Sequence, residues 1–369
     1  MDKSPVKYQY TSHNQEGVFV NIMHNSSVNS FGFYSKIVGV LMISVLLVVV
    51  VFYFAYTNRH MYNPYLQIED GESIVDIKFD AENHIYVAKL LNSVIERWNL
   101  DDKRIDLLFT GHSSTVTSIS FNEQKNILIS GSLDKSVIIW SAESGNIIKR
   151  LTEHKSAVTS VDVSLEGNIV ASGDDDGVIN IWETDSGIVI RTIKPLKGSI
   201  KSIGLSSNAQ WLAVKEQNGG IDILQISNGD VITTIKDSYR ASNLVLNSKG
   251  LLLGSGGAGT DVMMWQVPSG RQITKLEGHS AIVSALAFSP DGQFLATASG
   301  SEGNFWENVS SDPNIRIWNT STAELLTTIH ASNSLVGSLA FSSDSKWLAM
   351  GNAKGEIKIW KLSEICSNC

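Results

Sequence analysis

The chain has 369 residues, 43% apolar and 18% charged, a composition that argues against wholesale disorder and leaves room for one large all-β domain. Its net charge of −8 argues against general nucleic-acid binding, which needs a cationic surface. Residues 1–61 hold four Lys/Arg and two Asp/Glu, so the remainder stands at −10 and hides no basic stripe.

Residues 1–35 are rich in Ser, Asn and Tyr, show no sustained periodicity, and read as a disordered tail. Residues 37–56, IVGVLMISVLLVVVVFYFAY, carry neither charge nor proline. Twenty residues at about 1.5 Å each span about 30 Å, the thickness of a bilayer's hydrocarbon core. Residues 36–57 are therefore predicted to form a single transmembrane helix, with Tyr53 and Tyr56 near one end and Lys36 and Arg59 as flanking anchors. A cleaved signal peptide fits poorly, because the leading segment is long and YFAYT lacks small residues at the cleavage spacing. Lys3 and Lys7 add to Lys36 on the N-terminal side. This favours an N-terminus inside, and a large domain, residues 62–369, on the extracytoplasmic side.

Beyond residue 61 the chain repeats. Apolar runs end at Trp98, Trp140, Trp182, Trp265, Trp318 and Trp360, with Leu224 standing where a further tryptophan would fall. The steps are 42, 42, 42, 41, 53 and 42 residues, which makes seven units. Each unit holds four short runs of alternating or clustered apolar residues, such as VTSISF, NILISG, SVIIW and IIKRL, separated by Gly, Asn, Asp and Ser. Four strands per unit, seven times over, predict an all-β, seven-bladed β-propeller of four-stranded antiparallel blades. Too few residues follow Trp360 for an outer strand, while YLQI at 65–68 precedes the first unit. That strand is predicted to complete the last blade and close the ring.

The units resemble WD repeats in GHSSTVTSISF, SGSLDKSVIIW, GHSAIVSALAFSPDGQFLATAS and DPNIRIW, although no tryptophan is followed by aspartate. The resemblance covers roughly residues 62–369. It implies hydrogen-bonded sets of His, Ser/Thr, Asp and Trp: His112, Ser130, Asp134 and Trp140; His154, Ser172, Asp176 and Trp182; His279, Thr297, Asp312 and Trp318. The other units lack the set, since Leu224 replaces Trp, and Gly259 and Lys354 replace Asp.

Chemistry is scarce. Ser130, His112 and Asp134 resemble a hydrolytic triad, but the trio recurs in three units beside a tryptophan, as a structural network would. The three histidines fall on separate units and cannot share a metal. SGDDDG lacks the ligand spacing of a calcium loop, and GSGGAGTD does not precede a helix, so neither a metal nor a phosphate-bearing cofactor is expected. The expected protein is a membrane-anchored, non-catalytic scaffold. A channel enzyme or sensor, using Asp175, Lys201 and Arg240, and a structural subunit of a membrane assembly are the rivals.

The resemblance further implies binding of a protein or peptide on the narrow face of the propeller. Residues carried to that rim are Thr115, Thr117, Thr159, Lys201, Arg240, Ser284 and Leu335, with Leu133, Asp175, Gln217 and Ser311. The long step of 53 adds 11 residues before Asp312, among them Phe305 and Trp306, which suit a partner-contact loop or one packed on its own blade. Cys366 and Cys369 are the chain's two cysteines and are read as an unmodified tail, with a disulfide or lipidation as alternatives.

Overall fold

The computed structural model describes residues 63–369 apart from 70, 195–197, 218–219, 237–240, 258, 301–311, 313, 333 and 367–368. The predicted membrane helix and the tail before it lie outside the described residues. Among those residues no helix is long and apolar enough to cross a membrane.

Seven four-stranded antiparallel sheets, one per repeat, stand side by side around a central channel. Blade 2 shows the plan: Val116–Asn122 lines the channel, followed outward by Ile127–Ser132, Val137–Ser141 and Ile147–Leu151. The channel-side strands of the other blades are Ile74–Phe79, Val158–Val163, Ile200–Leu205, Ala241–Leu246, Val283–Phe288 and Val336–Phe341. The narrow face is the end where chains enter these inner strands and where second strands turn into third ones.

The ring closes as the sequence predicts. Leu66–Glu69 pairs antiparallel with Glu356–Lys361, Leu66 opposite Ile359, and becomes the outer strand of blade 7. The Tyr65 N–H donates to Ile359 O at 2.7 Å, and the Tyr65 ring lies 4.9 Å from that of Trp347. The first and last repeats thus share one sheet.

Close packing between blades explains the small residues near the end of each second strand. A Cβ at Gly131 would lie 2.6 Å from Val158 Cγ1, and one at Gly173 2.6 Å from Ile200 Cγ2. Branched side chains opening one inner strand therefore fill the space left by glycine in the blade before. Blade 4 departs: Lys215 stands at the glycine position, is buried, and donates to Glu216 O at 2.8 Å, while the next inner strand opens with Ala241 instead of Val or Ile.

Every inner strand carries a register shift at its second residue, and the hydroxyls found there stitch blades together. Thr117 Oγ1 donates to Val158 O of the next blade at 2.7 Å, Thr159 Oγ1 to Ile200 O at 2.6 Å, and Ser284 Oγ to Val336 O at 2.7 Å. Two residues further, the Ile77, Ile119, Val161 and Ile203 amides donate to Ser338 Oγ, Asp76 Oδ2, Ser118 Oγ and Ser160 Oγ of the preceding blades. These bonds tie the channel wall across five of the seven seams. The apolar core lies between the blades, where Trp140, Trp182 and Trp360 are fully buried and Leu224 fills its tryptophan position without exposure. Each such side chain contributes about 1.5–3 kcal/mol relative to exposure.

The C-terminus differs from the expected unmodified tail. A single helical turn, Leu362–Ile365, buries Leu362 and Ile365 against blades 6 and 7, and Cys366 is bridged to Cys369. The two Cα atoms lie 5.3 Å apart, within the range a disulfide spans, and the Cys369 N–H donates to Cys366 O at 3.3 Å.

Candidate functional site

In blade 2 the indole N–H of Trp140 donates to Ser130 Oγ at 2.8 Å, which lies 2.7 Å from His112 Nε2, while His112 Nδ1 lies 2.9 Å from Asp134 Oδ2. Directions follow from the donors. The ionised carboxylate requires Nδ1–H, so Nε2 accepts from the serine hydroxyl and the histidine is neutral. Burial lowers the His112 pKa, and the Asp134 interaction only partly opposes it. Burial alone would raise the Asp134 pKa, but hydrogen bonds from Ser136, Ser113 and His112 outweigh it and hold the carboxyl well below the usual range. Ser130 is fully buried and already accepts from Trp140, so it offers no nucleophile to a substrate.

Blade 3 has the same network with a different carboxylate. His154 Nδ1 lies 2.8 Å from Asp174 Oδ2, His154 Nε2 lies 2.7 Å from Ser172 Oγ, and Trp182 Nε1 donates to that hydroxyl at 2.7 Å. Asp176, expected in this place, is exposed and instead donates its backbone N–H to Asp174 Oδ1. The correction has a physical cause: Asp174 ends the second strand, where blade 2 has Ser132, and its side chain reaches the same imidazole from there.

Blade 6 assembles His279, Thr297, Asp312 and Trp318, with Nε2 to Thr297 Oγ1 at 2.8 Å, Nδ1 to Asp312 Oδ2 at 3.2 Å, and Trp318 Nε1 to Thr297 Oγ1 at 2.9 Å. Arg316 Nη1 adds itself 2.5 Å from His279 Nδ1 and 2.8 Å from Asp312 Oδ2. Burial and then the Arg316 charge bring the His279 pKa down to about 4. Burial would raise the Asp312 pKa, but the Ser280 amide, Arg316 and His279 bring it down to about 2.

The remaining blades substitute other contacts, two of which leave little mark in the order of residues. Blade 1 buries an ion pair, Lys89 Nζ to Glu96 Oε1 at 2.6 Å, with Trp98 Nε1 donating to Glu96 Oε2 at 3.0 Å. Its other end joins Asp80, His84 and Tyr86 to Arg97 and Asp106. Blade 7 uses Ser332, Asn352 and Glu356, with Ser332 Oγ donating to Glu356 Oε2 at 2.9 Å.

The central channel forms a cavity of about 340 Å³. Its acids are internally satisfied. Asp76 Oδ1 pairs with Lys78 Nζ at 2.6 Å, and Asp162 accepts from the Leu205 amide at 2.7 Å and from Ser120 Oγ at 2.9 Å. Burial raises the Asp162 pKa and those donors only partly offset it.

On the narrow rim, Thr117 is not available as a partner donor, because its hydroxyl bridges Gly131 O and Val158 O; Thr159 and Ser284 are committed in the same way. Leu133 is 46% exposed, Leu335 is half-buried, and Lys201 is exposed. Asp175 is exposed and accepts from Ser199 Oγ at 2.6 Å. Arg240, Phe305, Trp306 and Ser311 lie outside the described residues. Leu90 and Leu91 also stand on this rim, 47% and 89% exposed. The signal for them was the paired leucine inside a turn of polar residues, LLNS.

These features define a class, a seven-bladed β-propeller, and four stretches of it carry WD40 repeats. Residues 104–141, 145–183, 270–319 and 323–361 match the family model described as "WD domain, G-beta repeat". Among curated proteins, the chain is 33% identical over 108 residues to a periodic tryptophan protein 2 homolog of Neurospora crassa, covering 28% of this chain and 10% of that one. It is 32% identical over 114 residues to the target of rapamycin complex subunit wat1 of Schizosaccharomyces pombe, covering 30% of this chain and 32% of that one. It is 29% identical over 142 residues to the small ribosomal subunit protein RACK1 of Drosophila melanogaster, covering 35% of this chain and 41% of that one. Each match spans less than half of the relative.

Proposed function

We propose that this chain is a non-catalytic scaffold that binds a protein or peptide on the narrow face of its propeller and is held at a membrane by residues 37–56. The observation that carries the reading is where exposed side chains of varied chemistry stand. The repeated histidine networks are buried and the channel acids are paired, whereas Leu90, Leu91, Leu133, Asp175 and Lys201 are exposed on one rim. The names of wat1, a complex subunit, and RACK1, a ribosomal subunit protein, support assembly with other proteins as the use of such a propeller.

The inserted residues 301–311, with Phe305 and Trp306, belong to the same reading, because both ends of the insertion return to the narrow face at Gly300 and Asp312. The Cys366–Cys369 bridge supports an extracytoplasmic propeller, since disulfides persist in oxidising compartments. This agrees with the orientation taken from Lys3, Lys7 and Lys36.

The test is cross-linking of the full-length chain in its native membrane, with a photoreactive residue placed at position 133 or, as a control on the opposite face, at position 249. A discrete protein adduct at 133 and none at 249 is expected. Adducts at both positions or at neither reject the narrow-face reading. Alkaline carbonate extraction tests the anchor, and release into the supernatant rejects it.

A further inference from the structure

The narrow rim is divided by chemistry. Passing around the ring, Ile282 of blade 6, Leu335 of blade 7, Leu90 and Leu91 of blade 1 and Leu133 of blade 2 present aliphatic side chains. The inner strands of these blades are successive neighbours, so the residues follow one another around the mouth. Blade 3 then presents Asp175 and Asp176, both exposed.

Leu91 is the oddest member of this arc. The turn between the second and third strands has six residues in blade 1 between the paired Ala88 and Ile95, against five in blade 2 between Gly131 and Val137. Leu91 is the added residue, with φ at 63°, a left-handed conformation that leucine seldom takes. Its side chain is 89% exposed, so the conformation does not serve the core. A leucine held outward in this way, beside Leu90 and near Leu133, suits burial by something else.

The acidic end has a separate origin. Because Asp174 occupies the histidine network of blade 3, Asp176 is released to the surface beside Asp175, which stands where blade 2 has the exposed Leu133. Among the described residues neither makes an ion pair. Two adjacent exposed carboxylates, one of them accepting from Ser199 Oγ and neither neutralised by a cation among the described residues, on a domain at −10, attract a cationic partner.

We infer that this arc docks a basic amphipathic segment of a partner protein, whose apolar side chains cover Leu90, Leu91 and Leu133 and whose Lys or Arg meets Asp175 and Asp176. The inference rests on the narrow-face reading above and adds the partner's chemistry to it.

The test is selection of random dodecapeptides displayed on phage against the full-length chain in detergent micelles, with empty micelles as subtraction. Enriched peptides are synthesised and titrated against Leu91→Glu with Leu133→Glu, against Asp175→Asn with Asp176→Asn, and against Lys201→Glu with Gln217→Glu. All the positions changed are surface positions, and equal melting temperatures are confirmed first. The expected peptides combine aliphatic or aromatic residues with Lys or Arg. They weaken at least tenfold on the leucine variant, and they weaken and lose salt dependence on the aspartate variant. Acidic peptides, or no enrichment, overturn the inference. Loss of binding only on the Lys201/Gln217 variant overturns the arc but leaves the narrow face standing; equal binding to all three variants overturns both. If the leucine variant converts a dimer to a monomer, the occupant is a second copy and the inference is overturned.

Discussion

Asp174 Oδ2 lies 2.8 Å from His154 Nδ1, the position that Asp134 Oδ2 takes at 2.9 Å from His112, although the two aspartates stand at different distances before their tryptophans. The imidazole, not the spacing, selects the carboxylate. Asp174→Asn removes a buried charge-assisted bond and should cost about 2 kcal/mol, while Asp176→Asn, at an exposed turn, should cost less than about 0.5 kcal/mol. Thermal denaturation of the two single variants checks this. Equal melting temperatures would place the network on Asp176 after all.

Stability should fall on mild acidification. His279 has its pKa depressed to about 4 in the fold, below about 6.5 when unfolded, so the unfolded chain binds more protons between these values. Its contribution is complete above about pH 6.5 and is lost as pH falls toward 4. His112 and His154 are depressed in the same direction by burial. Asp312, lowered to about 2, contributes above its unfolded value near 3.8 and loses that contribution below it. Melting temperature should be flat from pH 7 to 8 and drop between pH 6.5 and 4.5. His279→Gln should be less stable at pH 7 and show a shallower drop. An unchanged slope would mean that His279 does not titrate with unfolding.

The closing strand should matter more than anything before it. Removing Leu66–Glu69 strips blade 7 of its outer strand and exposes the edge of Glu356–Lys361, an invitation to aggregation. Removing residues 1–30 touches no described contact. The first deletion should lower the melting temperature by many degrees or prevent soluble expression, and the second should leave it unchanged. Equal melting of the two would show that the ring does not depend on this latch.

Spacing along the chain conveys one part of this fold and strand register the other. Period, strand count and the latch were legible because each rests on spacing and alternation, which are properties of the chain itself. The identity of the carboxylate at His154 was not, because two aspartates two residues apart both satisfy a spacing rule, and only strand register separates them. Thr117 looked like an exposed rim hydroxyl because the register shift that turns it toward Val158 O leaves no mark in composition. Lys89 and Glu96 stand seven residues apart across a turn, and only strand pairing reveals that they meet in the interior.

Gly173 gives a sharper test of blade packing than any core truncation. A Cβ there would meet Ile200 Cγ2 at 2.6 Å, closer than real contacts allow, so Gly173→Val should destabilise by about 2–3 kcal/mol through overpacking. Ile200→Ala in the same chain should recover part of that loss, as Ala241 accompanies Lys215 at the next seam. A double-mutant cycle without positive coupling would reject the pairing of glycine and branched residue as the rule of this ring.

The long sixth repeat should be removable. Ser299 Oγ donates to Asp312 O at 2.7 Å, and the Gly300 amide donates to Ile282 O at 3.2 Å, so the two ends of the insertion are tied together at its base. Asp312 is held independently by Ser280, Arg316 and Asn314. Replacing residues 301–311 by Gly-Asn leaves every one of these bonds in place. The shortened chain should melt within about 2 °C of the native one, because surface loops change stability little when their closing contacts persist. A loss of more than about 5 °C would show that Phe305 or Trp306 packs into the propeller, which would remove those aromatics from the partner-binding face and leave Leu90, Leu91 and Leu133 as its apolar anchors.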